Sequence, residues 1–260
     1  MGTDRDWEAW GHDDPYYGVL SNENFRIDAL TAERKQAFFL SGEQHVTALL
    51  GTIRKNISPD FRPRRSLDFG CGVGRLLIPL AKHSDHATGI DVSPSMLAEA
   101  AINCAEQQVH NVDLVVSDDS LSQAKGEYDL VNSHIVLVHI ESRRGHALIE
   151  SLAAKVCPGG FIAVQVLYSC NAPRWERAFV KLRYQVPPLN ALRNVIRGRP
   201  IDEPAMQLHV YNLPTLLRML HGHGFGEVLM VPDAFENGQF DSVVLIAQRQ
   251  ARNACPMATV

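Results

Sequence analysis

The spacing of apolar and polar positions changes character several times along the chain. Residues 1–40 are a polar preamble in which aromatic residues cluster (Trp7, Trp10, Tyr16, Tyr17, Phe25, Phe38, Phe39). From Ser41, "SGEQHVTALLGTIRKNI" takes up the helical period. Val46, Leu49, Leu50 and Ile53 share one stripe, Ser41 and Gln44 have capping-box spacing, and Ser58-Pro59 closes the segment. From residue 66, short apolar runs alternate with amphipathic ones. "SLDF", "ATGID", "VDLVVS", "YDLVNS" and "FIAVQVLY" predict strands. "GRLLIPLAKH", "SPSMLAEAAINCAEQQ" and "ESRRGHALIESLAAKV" predict the helices between them, with Ser93 as N-cap and Pro94 in the first turn, and "CPGG" predicts a turn before the fifth strand. The alternation breaks at 169–210. It resumes with the helix "NLPTLLRMLHGHG" and two strands, "FGEVLMV" and "DSVVLIAQR", whose short connector predicts antiparallel pairing.

Strands alternating with helices imply an α/β fold. The expected form is a seven-stranded, mostly parallel sheet with helices on both faces and an antiparallel last strand. The expected divisions are an N-terminal flap and helix over 1–58, a main domain over 59–250 with a lid inserted at 169–210, and a flexible tail over 251–260.

Composition narrows the function classes. The chain has 260 residues, 45% of them apolar, and a formal net charge of −4. That is enough for one large core, and it argues against a surface wholly given to nucleic acid. Five cysteines (Cys71, Cys104, Cys157, Cys170, Cys255) include no CxxC pair. This fits reduced thiols in a cytoplasmic protein rather than a disulfide framework or a zinc site. The polar, acidic start is not a secretory signal, and no apolar run approaches the ~20 residues of a membrane span.

The chemistry centres on "LDFGCGVGR", Leu67–Arg75, between the first strand and its helix. A loop at the carboxyl end of such a strand is where ligands bind, and the following helix favours anions. A phosphate-binding P-loop needs a lysine that is absent here. The dinucleotide fingerprint needs GxGxxG, whereas the spacing is GxGxG with Arg75 in the place of a third glycine. Asp68 would repel a pyrophosphate and would suit a cation such as an amino-acid ammonium.

In Asp68-Phe69-Gly70-Cys71-Gly72-Val73-Gly74 the chain resembles the class I S-adenosylmethionine-dependent methyltransferases. The likeness continues in order through "GIDVSPSML", "VVSDD", "YDLVNSHIVLVHI" and "CPGG", over roughly 60–168. The resemblance implies S-adenosyl-L-methionine as cofactor and assigns roles to individual residues. Gly70, Gly72 and Gly74, with Cys71 between them, pass close to the methionine end, and Asp68 receives its ammonium directly or through water. Asp91, followed by Val92, accepts the ribose hydroxyls. Asp118 bonds the adenine amino group and the Asp119 N–H a ring nitrogen, while Met96 packs on adenine. Ser133 and His134 line the methyl-transfer end. Plainer roles compete with these: Asp91 as a helix cap, Asp118 as a turn acid, Met96 as core filler, and Cys71 as a small residue between glycines.

A hydroxyl acceptor needs a general base, and histidine is the commonest. His134, His139 and His209 are the candidates, each weighed against a structural role. The 169–210 segment carries Arg174, Arg177, Lys181, Arg183, Arg193, Arg197 and Arg199 against Glu176 alone up to residue 200. It places Trp175, Phe179 and Leu182 on one stripe. A solvated helical face, an anionic acceptor and docking on an anionic membrane surface all fit; RNA ranks lower, as no RNA-binding module is present. The preamble, loosely similar to openings of sugar-modifying bacterial methyltransferases, reads equally as a flap or as an aromatic contribution to binding. The expected function is methyl transfer to a small molecule or glycan, at oxygen. The alternatives are N-methylation, RNA-base methylation, NAD-dependent oxidation and non-catalytic cofactor binding. "NSHIV" lacks the Asn/Asp-Pro-Pro-Tyr/Phe pattern of base N-methylation, and no acidic cluster in the acceptor region demands a metal.

Overall fold

The computed structural model describes residues 2–235 and 238–251. Seven strands form one sheet: β1 (Arg65–Phe69), β2 (His86–Asp91), β3 (Val112–Val116), β4 (Tyr128–Ser133), β5 (Val156–Cys170), β6 (Phe225–Phe235) and β7 (Phe240–Arg249). Their order is β3-β2-β1-β4-β5-β7-β6. The first five pair in parallel, and β7 runs antiparallel to both β5 and β6. Strands in the middle of such a sheet are covered on both faces, so they are apolar almost continuously. Leu67, Leu130, Val131, Phe161, Ile162 and Val164 are all fully buried.

Helices α3 (Ala32–Asn56), α4 (Leu77–His83) and α5 (Pro94–Glu106) pack on one face, and α6 (Ser142–Ala154) and α9 (Leu213–Gly222) on the other. The stripe Val46, Leu49, Leu50 and Ile53 of α3 meets Leu130, Phe161, Ala163 and Ile246. Leu148, Ile149 and Leu152 of α6 join Leu216 and Leu220 of α9 over Leu67, Val131 and Val164. Ser93 caps α5 by accepting the Met96 N–H, and Asn212 caps α9 by accepting the Thr215 N–H.

Three local expectations are corrected. Helix α3 starts at Ala32 with Thr31 as its cap, nine residues before Ser41. Phe38 and Gly42 are buried and extend its inner face upstream. Ser41 lies mid-helix, donating its hydroxyl to the Phe38 carbonyl, so it caps nothing. The helix expected from Gly74 begins at Leu77, because Gly74 at φ +91° still belongs to the loop. "CPGG" does not turn the chain before a separate strand; it is a bulge within β5. Tyr128 pairs with Val156 and Leu130 with Phe161, so Cys157–Gly160 are the excess residues on one side of the ladder.

Two additions flank the sheet's carboxyl edge. Ahead of α3 lie α1 (Gly2–Asp13) and α2 (Pro15–Val19), packed by Trp10, Tyr16 and Phe38 against Val73 and Met96. After β5 come α7 (Arg174–Gln185) and α8 (Pro187–Ile196). Arg26 joins the two additions, pairing with Asp14 at 3.0 Å and Glu203 at 2.9 Å with its guanidinium over the Tyr17 ring. Burial, with Glu203 adding a like charge, holds the Asp14 pKa up at about 6 although Arg26 and the Ile27 N–H contact it.

Gly145 on α6 touches the Tyr211 hydroxyl, which is shared between the Leu137 and Ile140 carbonyls at 2.8 Å each. A methyl group at Gly145 would occupy the position of that hydroxyl. Gly145→Ala is expected to lower stability by about 1–3 kcal/mol, the cost of stranding buried acceptors, read as a shift in the urea midpoint at constant slope.

Candidate functional site

The carboxyl ends of β1, β2 and β4 open into a cavity. Its floor is the loop after β1. Gly70 (φ +72°) and Gly72 (φ +52°) hold left-handed conformations that favour glycine, and a side chain at either would meet Val136 or Val19. The loop's amides are engaged internally. Gly70 and Cys71 donate to the Ile90 carbonyl and Gly72 donates to Asp91 Oδ2 at 2.8 Å. Asn103, fully buried on α5, donates to the Val73 carbonyl and fixes the loop's far side.

Asp91 closes β2. Its second oxygen accepts the Ser93 N–H at 3.0 Å. Burial raises its pKa, and the N–H bonds from Ser93, Gly72 and Val92 oppose that rise. Gly72 and Ser93 thus occupy one oxygen each at hydrogen-bond distance, with the Val92 amide close by, and a carboxylate's four lone-pair sites are not all used by them. Val92 and Met96 line the cavity beside it.

Of the residues singled out in the sequence, Gly70, Gly72, Asp91, Val92, Met96, Asp119 and His134 meet at this cavity. Asp68, Cys71, Gly74, Asp118, Ser133, His139 and His209 are not among its lining residues. Asp68 is buried behind the loop, accepting the Asn132 amide at 2.8 Å. Desolvation pushes its pKa up to about 7 despite Asn132 and Arg75. Cys71 packs among Leu77, Ala87 and Leu97 as a small core residue, and burial pushes its thiol well up. Gly74 donates its N–H to the Cys71 carbonyl. Asp118 has the turn-acid role. Its oxygens accept the N–H and hydroxyl of both Ser120 and Ser122, which with little burial to oppose them lower its pKa to about 2. Ser117 and Asp119 reach the cavity instead.

The histidines separate clearly. His139 is buried, with Nδ1 at 2.9 Å from the Gln207 carbonyl and its ring edge-on to Trp7; burial lowers its pKa to about 4. His209 fixes the insertion through its backbone, donating its N–H to the Val138 carbonyl, and burial lowers its side-chain pKa. His134 alone of the three lines the cavity. Its Nε2 lies 3.2 Å from Asp233 Oδ2, and its buried Nδ1 has no partner among the described residues. The ring stacks at 4.0 Å on His45, whose pKa burial and the neighbouring His134 lower to about 3. Desolvation lowers the His134 pKa, and Asp233 works against that.

Sequence reasoning missed the supports of His134. Gln165 on β5 donates to Asp233 and Ser242, and its Oε1 accepts the Ile135 N–H at 2.8 Å. Ile135 sits at φ +59°, an outlying conformation for a β-branched residue, so this glutamine holds strained backbone beside the cavity. Also missed was the roof. Thr3, Asp4 and Trp7 of α1 and Arg144 of α6 line the cavity. Arg144 bridges Asp4 at 2.7 Å and Asp119 at 2.6 Å. Glu8 accepts both the Ser93 and Ser95 hydroxyls at 2.7 Å. The aromatic preamble hinted at α1; nothing local marked Arg144, Gln165 or Asp233.

Residues 67–160 match the family model described as a methyltransferase domain. Over 122 residues the chain is 30% identical to a ubiquinone biosynthesis O-methyltransferase of Cronobacter sakazakii, covering 46% of this chain and 49% of that one. Over 87 residues it is 36% identical to a magnesium-protoporphyrin O-methyltransferase of Synechocystis, covering 34% and 38%. The matched segments thus span less than half the length of these relatives. Among solved structures, the Synechocystis magnesium protoporphyrin IX methyltransferase with bound S-adenosylmethionine superposes with a TM-score of 0.60 at 18% identity, covering 96% of this chain and 98% of that one. An N-methyltransferase from Bradyrhizobium japonicum, in complex with S-adenosyl-L-homocysteine, gives 0.57 at 15% identity over 96% and 99%. Among the described residues no helix is long and apolar enough to cross a membrane, and no group of three or more histidine, cysteine or acidic side chains is arranged to hold a metal.

Because the folded chain keeps Asp68 protonated up to about pH 7, the unfolded chain releases that proton first as pH rises from about 4. Stability is expected to fall across that window, relative to Asp68→Asn, by on the order of a few kcal/mol. Urea melts of both proteins at several pH values measure it; parallel profiles would refute the shift.

Proposed function

We propose that this chain, which belongs by its fold and its central segment to the class I S-adenosylmethionine-dependent methyltransferases, moves a methyl group from S-adenosyl-L-methionine to a hydroxyl of a small-molecule or glycan acceptor. One juxtaposition carries the reading: a single cavity joins Gly70 and Gly72, the Asp91 carboxylate and the His134 imidazole. When bound, the cofactor supplies an electrophilic methyl on a sulfonium. Asp91 offers acceptor lone pairs suited to a diol, and Met96 and Val92 offer apolar surface beside it. Asp119 and Ser117 stand at the adjoining wall, while Asp68 supports the loop from behind. A hydroxyl acceptor, consistent with the names of the O-methyltransferase relatives, must lose its proton.

His134 fits that task. With Nε2–H donated to Asp233, the lone pair on Nδ1 is left bare to take a proton. Burial keeps the ring neutral near pH 7, which a base requires. Asp233 holds the tautomer and favours the imidazolium once formed, and Gln165 holds Asp233. In this assignment His139 and His209 are structural.

Three variants test the reading. His134→Ala should lower kcat by about 10²–10⁴-fold, with S-adenosylhomocysteine affinity in calorimetry little changed. Asp233→Asn should cost less and lower the apparent pKa of the acid limb, since the Asp233 carboxylate is what holds the His134 pKa up against burial. Asp91→Ala should weaken S-adenosylhomocysteine at least about tenfold, as one lost charge-assisted bond dictates. In the parent protein that acid limb should lie below the ordinary histidine value of 6.5. Binding of NAD in place of S-adenosylhomocysteine, or full turnover of His134→Ala, would overturn the assignment.

A further inference from the structure

Helix α8 is built inside out. Pro188, Leu192, Val195 and Ile196 follow the i, i+4, i+7, i+8 spacing of one face, and all four are exposed, Ile196 at 76%. The opposite side turns asparagines inward. Asn194 is buried and donates to the Ile201 and Glu203 carbonyls, and Asn190 also donates to Glu203. The apolar stripe is therefore not the side that holds the helix to the protein. Ile201, beyond the end of α8, is exposed as well. On α7, Trp175 (73% exposed) and Leu182 stand seven residues apart on one face. The side chain of Phe179 lies outside the described ones. An exposed apolar surface of this extent marks a contact with something else.

The charges around it say what kind of partner fits. Arg174, Arg177 and Arg197 are exposed, and Arg183 and Arg193 half-exposed. Among the described residues these five form no ion pair; Arg199, paired with Glu23 and Glu203, is the exception in the segment. The arginines also crowd one another. After partial burial, Arg183 and Arg197 are what lower the pKa of Arg193. A second copy of this face would bring the same guanidiniums together, and a nucleic acid would leave the apolar stripe uncovered. An exposed tryptophan and aliphatic stripe bordered by unpaired arginines matches a bilayer whose headgroups are anionic. The surface is also near the cavity: Tyr184 of α7 donates to the Met206 carbonyl, and Met206 packs with the cluster that includes Met96.

We propose that α7 and α8 form a docking surface for an anionic lipid bilayer, with Trp175, Leu192, Val195 and Ile196 entering the headgroup boundary and the flanking arginines on the lipid phosphates. The proposal goes beyond the reading of the cavity and stands without methyl transfer, since its test reads lipid binding. The full chain is sedimented with vesicles of phosphatidylcholine alone and of phosphatidylcholine mixed with phosphatidylglycerol, at low and high salt. Partitioning should be at least about tenfold stronger on the anionic vesicles and fall with salt. The double variant Val195→Glu, Ile196→Glu should lose most of it while keeping its thermal midpoint and its S-adenosylhomocysteine affinity. Arg174→Ala with Arg197→Ala should flatten the dependence on anionic lipid. Trp175→Phe should abolish a vesicle-induced blue shift that Trp7 and Trp10 cannot give. Equal partitioning on both vesicle types, or unchanged binding by the double glutamate variant, would overturn it. So would a vesicle-free dimer that the glutamates dissolve.

Discussion

The carboxylate of Asp91 is the point on which the site depends. One oxygen receives the N–H of Gly72 and so bends the loop after β1 back toward β2; the other receives the N–H of Ser93 and starts α5. Ser93 in turn caps α5 with its hydroxyl oxygen while donating its hydroxyl hydrogen to Glu8 of α1. Loop, helix and roof are therefore chained through two side chains. A buried carboxylate is costly unless its lone pairs are met, and here backbone amides meet them. The remaining lone pairs of the same group are what a bound diol would use, so the architecture and the proposed recognition draw on one charge.

What the sequence made legible was local. The carboxyl ends of β1, β2 and β4, the GxGxG spacing, the cap at Ser93 and the acid that closes β2 each depend on a few neighbouring residues, and all lie where the pattern puts them. The third strand shows where locality fails. Whether Ser117, Asp118 or Asp119 faces the cavity depends on where β3 stops and how the turn closes. Ser120 and Ser122 take Asp118 away from it. The start of α3 was hidden by the aromatic preamble, because Phe38 belongs equally to the helix and to the cluster with Tyr16 and Phe25. Arg144, Gln165, Asp233 and His45 had no motif to announce them. Their meaning comes from partners far away in sequence, 140 positions in the case of Arg144 and Asp4.

The sheet's carboxyl edge also gathers groups whose charges are suppressed. Burial lowers the pKa of His134 and, with His134 beside it, that of His45, and burial raises that of Asp68. Arg75 lies within reach of all three and is itself lowered to about 10 by burial. A pKa of about 10 still leaves Arg75 charged near pH 7, so the region behind the loop holds a guanidinium whose interactions the low dielectric strengthens.

His139 does not line the cavity, yet it touches both covers of the site. Its ring supports Trp7 in the roof, and its Nδ1 is tied to the Gln207 carbonyl at the end of the insertion. The backbone of His209 then ties the same insertion to Val138, next to His139. The N-terminal helix and the segment after β5 thus lean on one imidazole. Any coupling between what lies beneath the two covers must then be equal in both directions.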